Sequence, residues 1–300
     1  KQYAPRLLDK VTHKAAGIND LILGRAELPM PENVTEKNMR QIRAASKLIR
    51  RKQRQYETQN LQFAEMREDA DLKEYLDRTT FINKDGEVCE FTDLQKHDLN
   101  LVLQKRYALL NWQQGSGKTA AVYHRAKYLL KFRKAKNVII LAPAIATNMT
   151  WIPFLTINKE RFRTIQTAGD LNNIPEGTFL VVSTSMLRKL KRGLMRFVKR
   201  TSGKLCLVFD ESDEITNPTS QRTRNILCIF RRLRYKILDT GTTTRNNIAE
   251  LYSQFELLYN NSVNMICWSP QVYHENRDHE IEEENNPDYG TPFPAFRGHV

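Results

Sequence analysis

Between residues 91 and 260 apolar positions come in short blocks set apart by amphipathic ones. The blocks read RYALLNW, NVIILAP, TFLVVST, KLCLVFD and YKILDTG, with the longer, helix-periodic AAVYHRAKYLLKF after the first. Brief β-branched or aliphatic runs, bounded by turn residues and separated by helical stretches, predict parallel strands buried on both faces. The expected fold class is therefore α/β, a parallel sheet flanked by helices over residues 86–262.

The first 85 residues have a different texture. Pro29 and Pro31 interrupt early, and 35–77 then carries frequent Lys, Arg, Gln and Glu with sparse apolar positions. This predicts a basic helical N-terminal region. Its centre, KLIRRKQRQ, reads equally as a solvated helix face or as a phosphate-contacting surface. DGEV, with Gly86, is expected to be the turn that closes the region. Residues 263–300 include HENRDHEIEEENNPDYGTPFPAF, acidic and then rich in Pro and Gly. They read as a loop or as the start of a further domain. No internal repeat is evident.

Composition narrows the possibilities. At 300 residues and 40% hydrophobic content the chain has material for a sizeable core. No apolar run approaches the ~20 residues of a membrane span, so no membrane partner is expected. The opening KQYAPRLLDK has neither Met nor a secretory pattern, and a segment of a longer intracellular protein is expected, cytoplasmic or nuclear, with a virus or phage gene as one source. Lys and Arg number 47 against 34 Asp and Glu, a net charge of +13 that points to a polyanion, most commonly nucleic acid. Cys89, Cys206, Cys228 and Cys267 form no CxxC pair, which argues against zinc and disulfides. Cys206 and Cys228 lie in apolar runs and are expected to be small buried hydrophobes.

The strongest local signal is WQQGSGKTAA, residues 112–121, which follows an apolar strand and opens a helix. In that context Gly115, Ser116 and Gly117 let the backbone turn its N–H groups toward phosphate oxygens, and the helix N-terminus adds its dipole. Lys118 would meet the β/γ-phosphates and the Thr119 hydroxyl would coordinate Mg²⁺. Trp112 stands where the full GxxxxGK[ST] pattern has its first glycine. Further on, KLCLVFDES ends an apolar strand with Asp210 and Glu211, at the strand end where α/β sheets bind ligands. Asp210 would hold Mg²⁺, and Glu211 would orient or deprotonate the attacking water. In this order the two segments spell a nucleoside triphosphatase site.

From here the sequence resembles the first RecA-like lobe of a superfamily 2 helicase, most closely the SNF2 branch, over roughly 91–260. FTDLQKHDLNLVL resembles the family's opening segment and implies that Gln95 reads the adenine edge. VIILAPAIATNMTWIPF and TFLVVSTSMLRK resemble its nucleic-acid-facing strands, implying contacts at Pro143, Trp151, Ser183 and Thr184. DESDEITNPTS resembles DEAHxxKN, with Asn217 at the asparagine and Asp213 in place of histidine. LDTGTTTRNNIAEL resembles LTGTPxxNxxxEL, with Thr240, Gly241, Thr242, Asn246 and Glu250 matching and Thr243 in place of proline. The resemblance gives Thr240, Gly241, Thr242 and Asn217 a coupling role.

It implies ATP and Mg²⁺ as cofactors, double-stranded DNA as partner, and ATP-driven movement along the duplex. It also implies a second RecA-like lobe, from the same longer chain or from a partner, because the arginine fingers come from there. The basic run MLRKLKRGLMRFVKR is expected to be a helix with Leu187, Leu190, Leu194 and Phe197 turned inward and its cations toward phosphate. Two other readings stay open on the sequence: a viral DNA-packaging ATPase, and a nucleotide-binding scaffold that has lost hydrolysis.

Overall fold

The computed structural model describes residues 66–201, 204–218, 220–242 and 248–259, with isolated helical positions between 35 and 50. A compact unit runs from Arg67 to Asn260. The rest of KLIRRKQRQ, Asn246, Thr243, Cys267 and the acidic stretch lie outside the described residues.

The unit opens with helix α1 (Ala70–Asp77), whose first turn is capped by the Asp69 side chain accepting from Leu72 N–H. A short antiparallel hairpin follows, β1 (Thr80–Ile82) and β2 (Val88–Glu90). Gly86 makes its turn at φ +84°, in the left-handed region that glycine enters without strain. DGEV is thus the tip of a hairpin inside this unit, and the boundary expected near residue 85 falls within it. Helix α2 (Asp93–Leu103) starts on a capping box, Thr92 with Gln95.

Six strands then form one sheet: β3 (Tyr107–Leu110), β4 (Asn137–Ala142), β5 (Phe162–Thr164), β6 (Phe179–Ser183), β7 (Leu205–Phe209) and β8 (Tyr235–Asp239). Their order is β3-β8-β7-β4-β6-β5, and every pairing is parallel. Five of the six are the apolar blocks read from the sequence. The sixth, β5, is the edge strand FRT, too short and polar to stand out.

Alternation along the strands divides the core in two. Val138, Ile140, Val181, Val208 and Ile237 face α1, α2 and α3 (Lys118–Lys131). Ile139, Leu141, Val182, Leu207 and Leu238 face α5 (Leu187–Arg200) and α6 (Gln221–Phe230), with Leu257 and Leu258 of α7 (Tyr252–Tyr259). Leu187, Leu190, Leu194 and Phe197 do point inward from α5. Cys206 is fully buried in β7, but Cys228 is exposed, because the ILCIF run is helical and its inward positions are Ile226, Ile229 and Phe230.

Between β4 and α4 (Ile152–Ile157) the chain makes a π-helical turn, Thr147–Trp151, closed by the Ile152 N–H donating to Thr147 O. Pro153 is next and has no N–H, so the regular bond to Met149 O cannot form there. Trp151, the last residue of the turn, is fully buried.

Candidate nucleotide-binding site

Because all six strands are parallel, the loops leaving β3, β7 and β8 open on one edge of the sheet. β8 lies between β3 and β7, with Leu110 opposite Asp239 and Phe209 opposite Leu238. The loop after β3 and the acidic pair after β7 are thus two strand spacings apart, roughly 10 Å.

The loop after β3 has the build of an anion cradle. Gly115 (φ +81°) and Gly117 (φ +83°) adopt conformations that L side chains resist. A Cβ at Gly115 would meet nothing within 4 Å, so the loop is open there, whereas one at Gly117 would lie 3.3 Å from Gln95 Nε2. Gly117 is the N-cap of α3 and provides no side-chain cap, and no acidic residue sits in the first turn. The N-terminal N–H groups of a 14-residue helix are therefore left for another acceptor. Lys118 Nζ donates to the carbonyls of Trp112 and Gln113, both at 3.1 Å. Thr119 is half-buried on the first turn of α3.

Gln95 buttresses this loop. Its Oε1 accepts from Thr92 N–H at 2.8 Å and its Nε2 donates to Ser116 O at 2.8 Å. One amide hydrogen and one lone pair remain for a planar polar edge such as adenine. Trp112 Nε1 donates to Asp98 Oδ2 at 2.8 Å and ties the start of the loop to α2.

Asp210 follows β7, almost buried, and accepts from Trp151 Nε1 at 2.7 Å. Burial pushes its carboxyl up, while the Trp151 bond, Asp239 and the Lys118 charge pull it down. Glu211 is exposed and stands at φ +54°, a conformation that costs a residue with a Cβ ~1–2 kcal/mol. Desolvation, then Asp210 and Asp213, raise its carboxyl, and Lys118 opposes them. Asp239 is buried between the two strands, and neither oxygen meets a donor group. Burial first and the neighbouring Asp210 charge second push its carboxyl well above its usual value.

The segment after β8 reaches both neighbours. A Cβ on Gly241 would lie 3.6 Å from Lys118 Nζ and 3.8 Å from Gln114 N, against the phosphate-type loop. Thr240 Oγ1 has two acceptors for its proton, Thr242 O at 3.0 Å and Asp213 Oδ1 at 3.3 Å, and receives Thr242 N–H at 3.1 Å. Asp213, at the resemblance's histidine position, thus lies within hydrogen-bond reach of the threonine segment. Asn217 is exposed at the end of that turn, and its carbonyl accepts from Ser220 N–H at 3.3 Å. Glu250 is buried at the start of the helical turn leading into α7.

The expected nucleic-acid contacts are placed less uniformly. Pro143 and Ser183 are half-buried at the ends of β4 and β6. Thr184 is buried. Trp151 has no exposed surface, and its indole Nε1 donates to Asp210. The exposed side chains of that turn are Asn148, Met149 and Thr150, with Ala144 and Ile145 exposed just before it. Sequence reading gave no sign of the Trp151–Asp210 hydrogen bond and passed over Asp239, although an aspartate closing the apolar strand YKILD was a visible signal. No cluster of three or more His, Cys, Asp or Glu forms a metal cage among the described residues. Mg²⁺ held through one hydroxyl, one carboxylate and nucleotide phosphates needs none.

A six-stranded parallel sheet with a glycine-cradled helix N-terminus beside a strand-end acidic pair is the architecture of a RecA-like nucleotide-binding lobe. Residues 40–245 match the family described as type III restriction enzyme, res subunit, and the chain belongs to that family. The ATP-dependent helicase FUN30 of Saccharomyces cerevisiae is 27% identical over 175 residues, 54% of this chain and 15% of that protein. The chain thus spans a small part of that relative's length. Among solved structures, the SWI2/SNF2 ATPase core of Sulfolobus solfataricus in complex with dsDNA superposes with a TM-score of 0.50 at 16% identity. That match covers 66% of this chain and 41% of the other, and it bears on the fold. The same core without DNA gives a TM-score of 0.49 at 17% identity, over 66% and 40%.

Proposed function

We propose that this chain is the nucleotide-binding lobe of an ATP-dependent motor that moves along double-stranded DNA. The observation that carries the reading is the convergence of Lys118, Asp210 and Glu211 at the ends of β3 and β7. The uncapped N-terminus of α3 and the loop N–H groups at 115–119 would receive the phosphates, and Gln95 the base edge. Thr119 and Asp210 would hold Mg²⁺, which supplies charge neutralisation at the phosphates when bound. Trp151 fixes one oxygen of Asp210 by a hydrogen bond that no water need replace. Glu211, with its carboxyl raised, is suited to take the proton of an attacking water.

Thr240, Gly241 and Thr242 would register the γ-phosphate through Lys118 and the loop, and pass the change to the acidic turn through Asp213. A second RecA-like lobe, from a longer chain or a partner, would supply the arginine fingers, worth ~10³–10⁵ in rate. The relative's description as an ATP-dependent helicase and the DNA-bound fold match support the assignment.

The test is ATP turnover of the full-length parent protein with and without duplex DNA, beside Lys118→Ala. Duplex-stimulated turnover that is lost in the variant is expected. Tight ATP binding with no turnover in either condition would overturn the motor reading in favour of a nucleotide-binding scaffold.

A further inference from the structure

Helix α5 carries a face that the nucleotide site does not use. Its exposed positions are Arg188, Lys189, Arg192, Met195, Arg196, Lys199 and Arg200, and all but Met195 are cationic. Arg188, Arg192, Arg196 and Arg200 form an uninterrupted i,i+4 ladder of like charge, which opposes helix formation. Elsewhere the chain settles such positions with opposite charges, as in the exposed pair Arg78–Glu74.

On α5 this remedy is missing. The sequence holds no Asp or Glu from 184 to 209 or from 216 to 238, so neither α5 nor the adjoining α6 offers one. Among the described residues the ion pairs of α6 and its C-terminal end are Arg222–Glu214 and Arg231–Glu256, and none involves α5. Arg200 is partly engaged, donating to Leu171 O at 2.8 Å. The two helices meet at the surface where Cys228 Sγ lies 4.0 Å from Met195 Sδ, so the exposed Arg224 of α6 extends the same basic face.

The location is separate from the nucleotide site. α5 packs on the sheet face lined by Ile139, Leu141 and Leu207, whereas α3 packs on the opposite one. We infer that the outer face of α5, continued by α6, is a docking surface for the phosphate backbone of duplex nucleic acid, on the far side of the sheet from the nucleotide-binding helix. Charge complementarity selects the occupant. From Arg188 to Lys199 the face spans roughly 16 Å at 1.5 Å per residue, the reach of several backbone phosphates. Among the described residues no carboxylate pairs with Arg188, Lys189, Arg192, Arg196 or Lys199, so these cations are available to replace condensed counterions. The inference rests on the nucleic-acid half of the function proposed above and is independent of hydrolysis.

The experiment is nucleotide-free binding of the full-length protein to a duplex of about 30 base pairs over a salt series, comparing wild type with the triple variant Arg192→Glu, Arg196→Glu, Lys199→Glu. Loss of three phosphate contacts should weaken binding at least about tenfold and reduce the slope of log K against log salt by about 2.7. The neutral triple glutamine variant should lie between, and circular dichroism should show α5 intact in both. Unchanged affinity and slope, with duplex-stimulated turnover preserved, would overturn this inference and leave the motor reading standing. A lost slope in a protein that never hydrolyses ATP would sustain the inference and sink the motor. Unchanged duplex affinity accompanied by altered sedimentation would assign the face to a protein partner and overturn it.

Discussion

Glu211 holds a conformation that a residue with a Cβ enters only at a cost, which is the pattern of a side chain placed for chemistry rather than for stability. Glu211→Gly should therefore raise stability, by up to about 1 kcal/mol in urea unfolding, while removing turnover. Glu211→Gln should lose turnover without the stability gain. Trp151 gives the complementary case: Trp151→Phe keeps the ring but strips the donor from Asp210. A cost of about 1–3 kcal/mol is expected, with the acid limb of the turnover profile moved to higher pH because the bond that lowered Asp210 is gone.

His124 offers a test away from the site. It is enclosed by the rings of Phe81, Phe91 and Tyr123, neither ring nitrogen has a hydrogen-bond partner, and burial, helped by Lys127, lowers its pKa to about 3. The unfolded chain protonates this imidazole near 6.5 and the folded one does not. Its contribution is thus intact above pH 6.5 and declines as pH falls toward 3. His124→Phe should gain stability relative to wild type on going from pH 7 to pH 5, by about 2 kcal/mol, in parallel melts at the two pH values.

At the scale of elements, α5 and α3 show two ways in which a helix departs from self-sufficiency. α3 begins on a glycine with no side-chain cap, leaving its N-terminal amides for an anion. α5 stacks arginines that repel one another and is held by the burial of Leu187, Leu190, Leu194 and Phe197. The single change Arg192→Glu should convert two repulsive i,i+4 pairs into attractive ones. We expect the protein to melt later, by about 0.5–1 kcal/mol in stability, while it binds duplex more weakly. A stability gain with unaltered binding would separate the two effects and count against the docking surface. β8 and α7 are joined differently, through buried Lys236, whose Nζ donates to Arg231 O at 2.7 Å and Leu257 O at 2.6 Å. Nothing in the spacing of YKILD announced that lysine as an internal tie.

For the molecule as a whole, the sheet and the nucleotide loop were legible in the chain because both depend on local patterns. Unbroken apolar runs specify strands buried on two faces, and GSGKT between a strand and a helix specifies a turn that only glycine adopts cheaply. The helical reading of 187–200 followed from period alone. What the sequence could not order was the set of neighbours created by strand crossover. The chain places β8 last, yet the sheet inserts it between β3 and β7, and only that insertion sets Asp239 beside Asp210 and Gly241 against Lys118. Likewise, the motif pattern suggested a nucleic-acid contact for Trp151, while the fold buries its ring with the indole N–H on Asp210. By itself, then, the sequence determined which residues would be strand, loop and charge, since propensity and period act over a few positions. Tertiary structure alone decided which of those residues share a carboxylate neighbour, a hydrogen bond or a face, because those relations run between segments far apart in the chain.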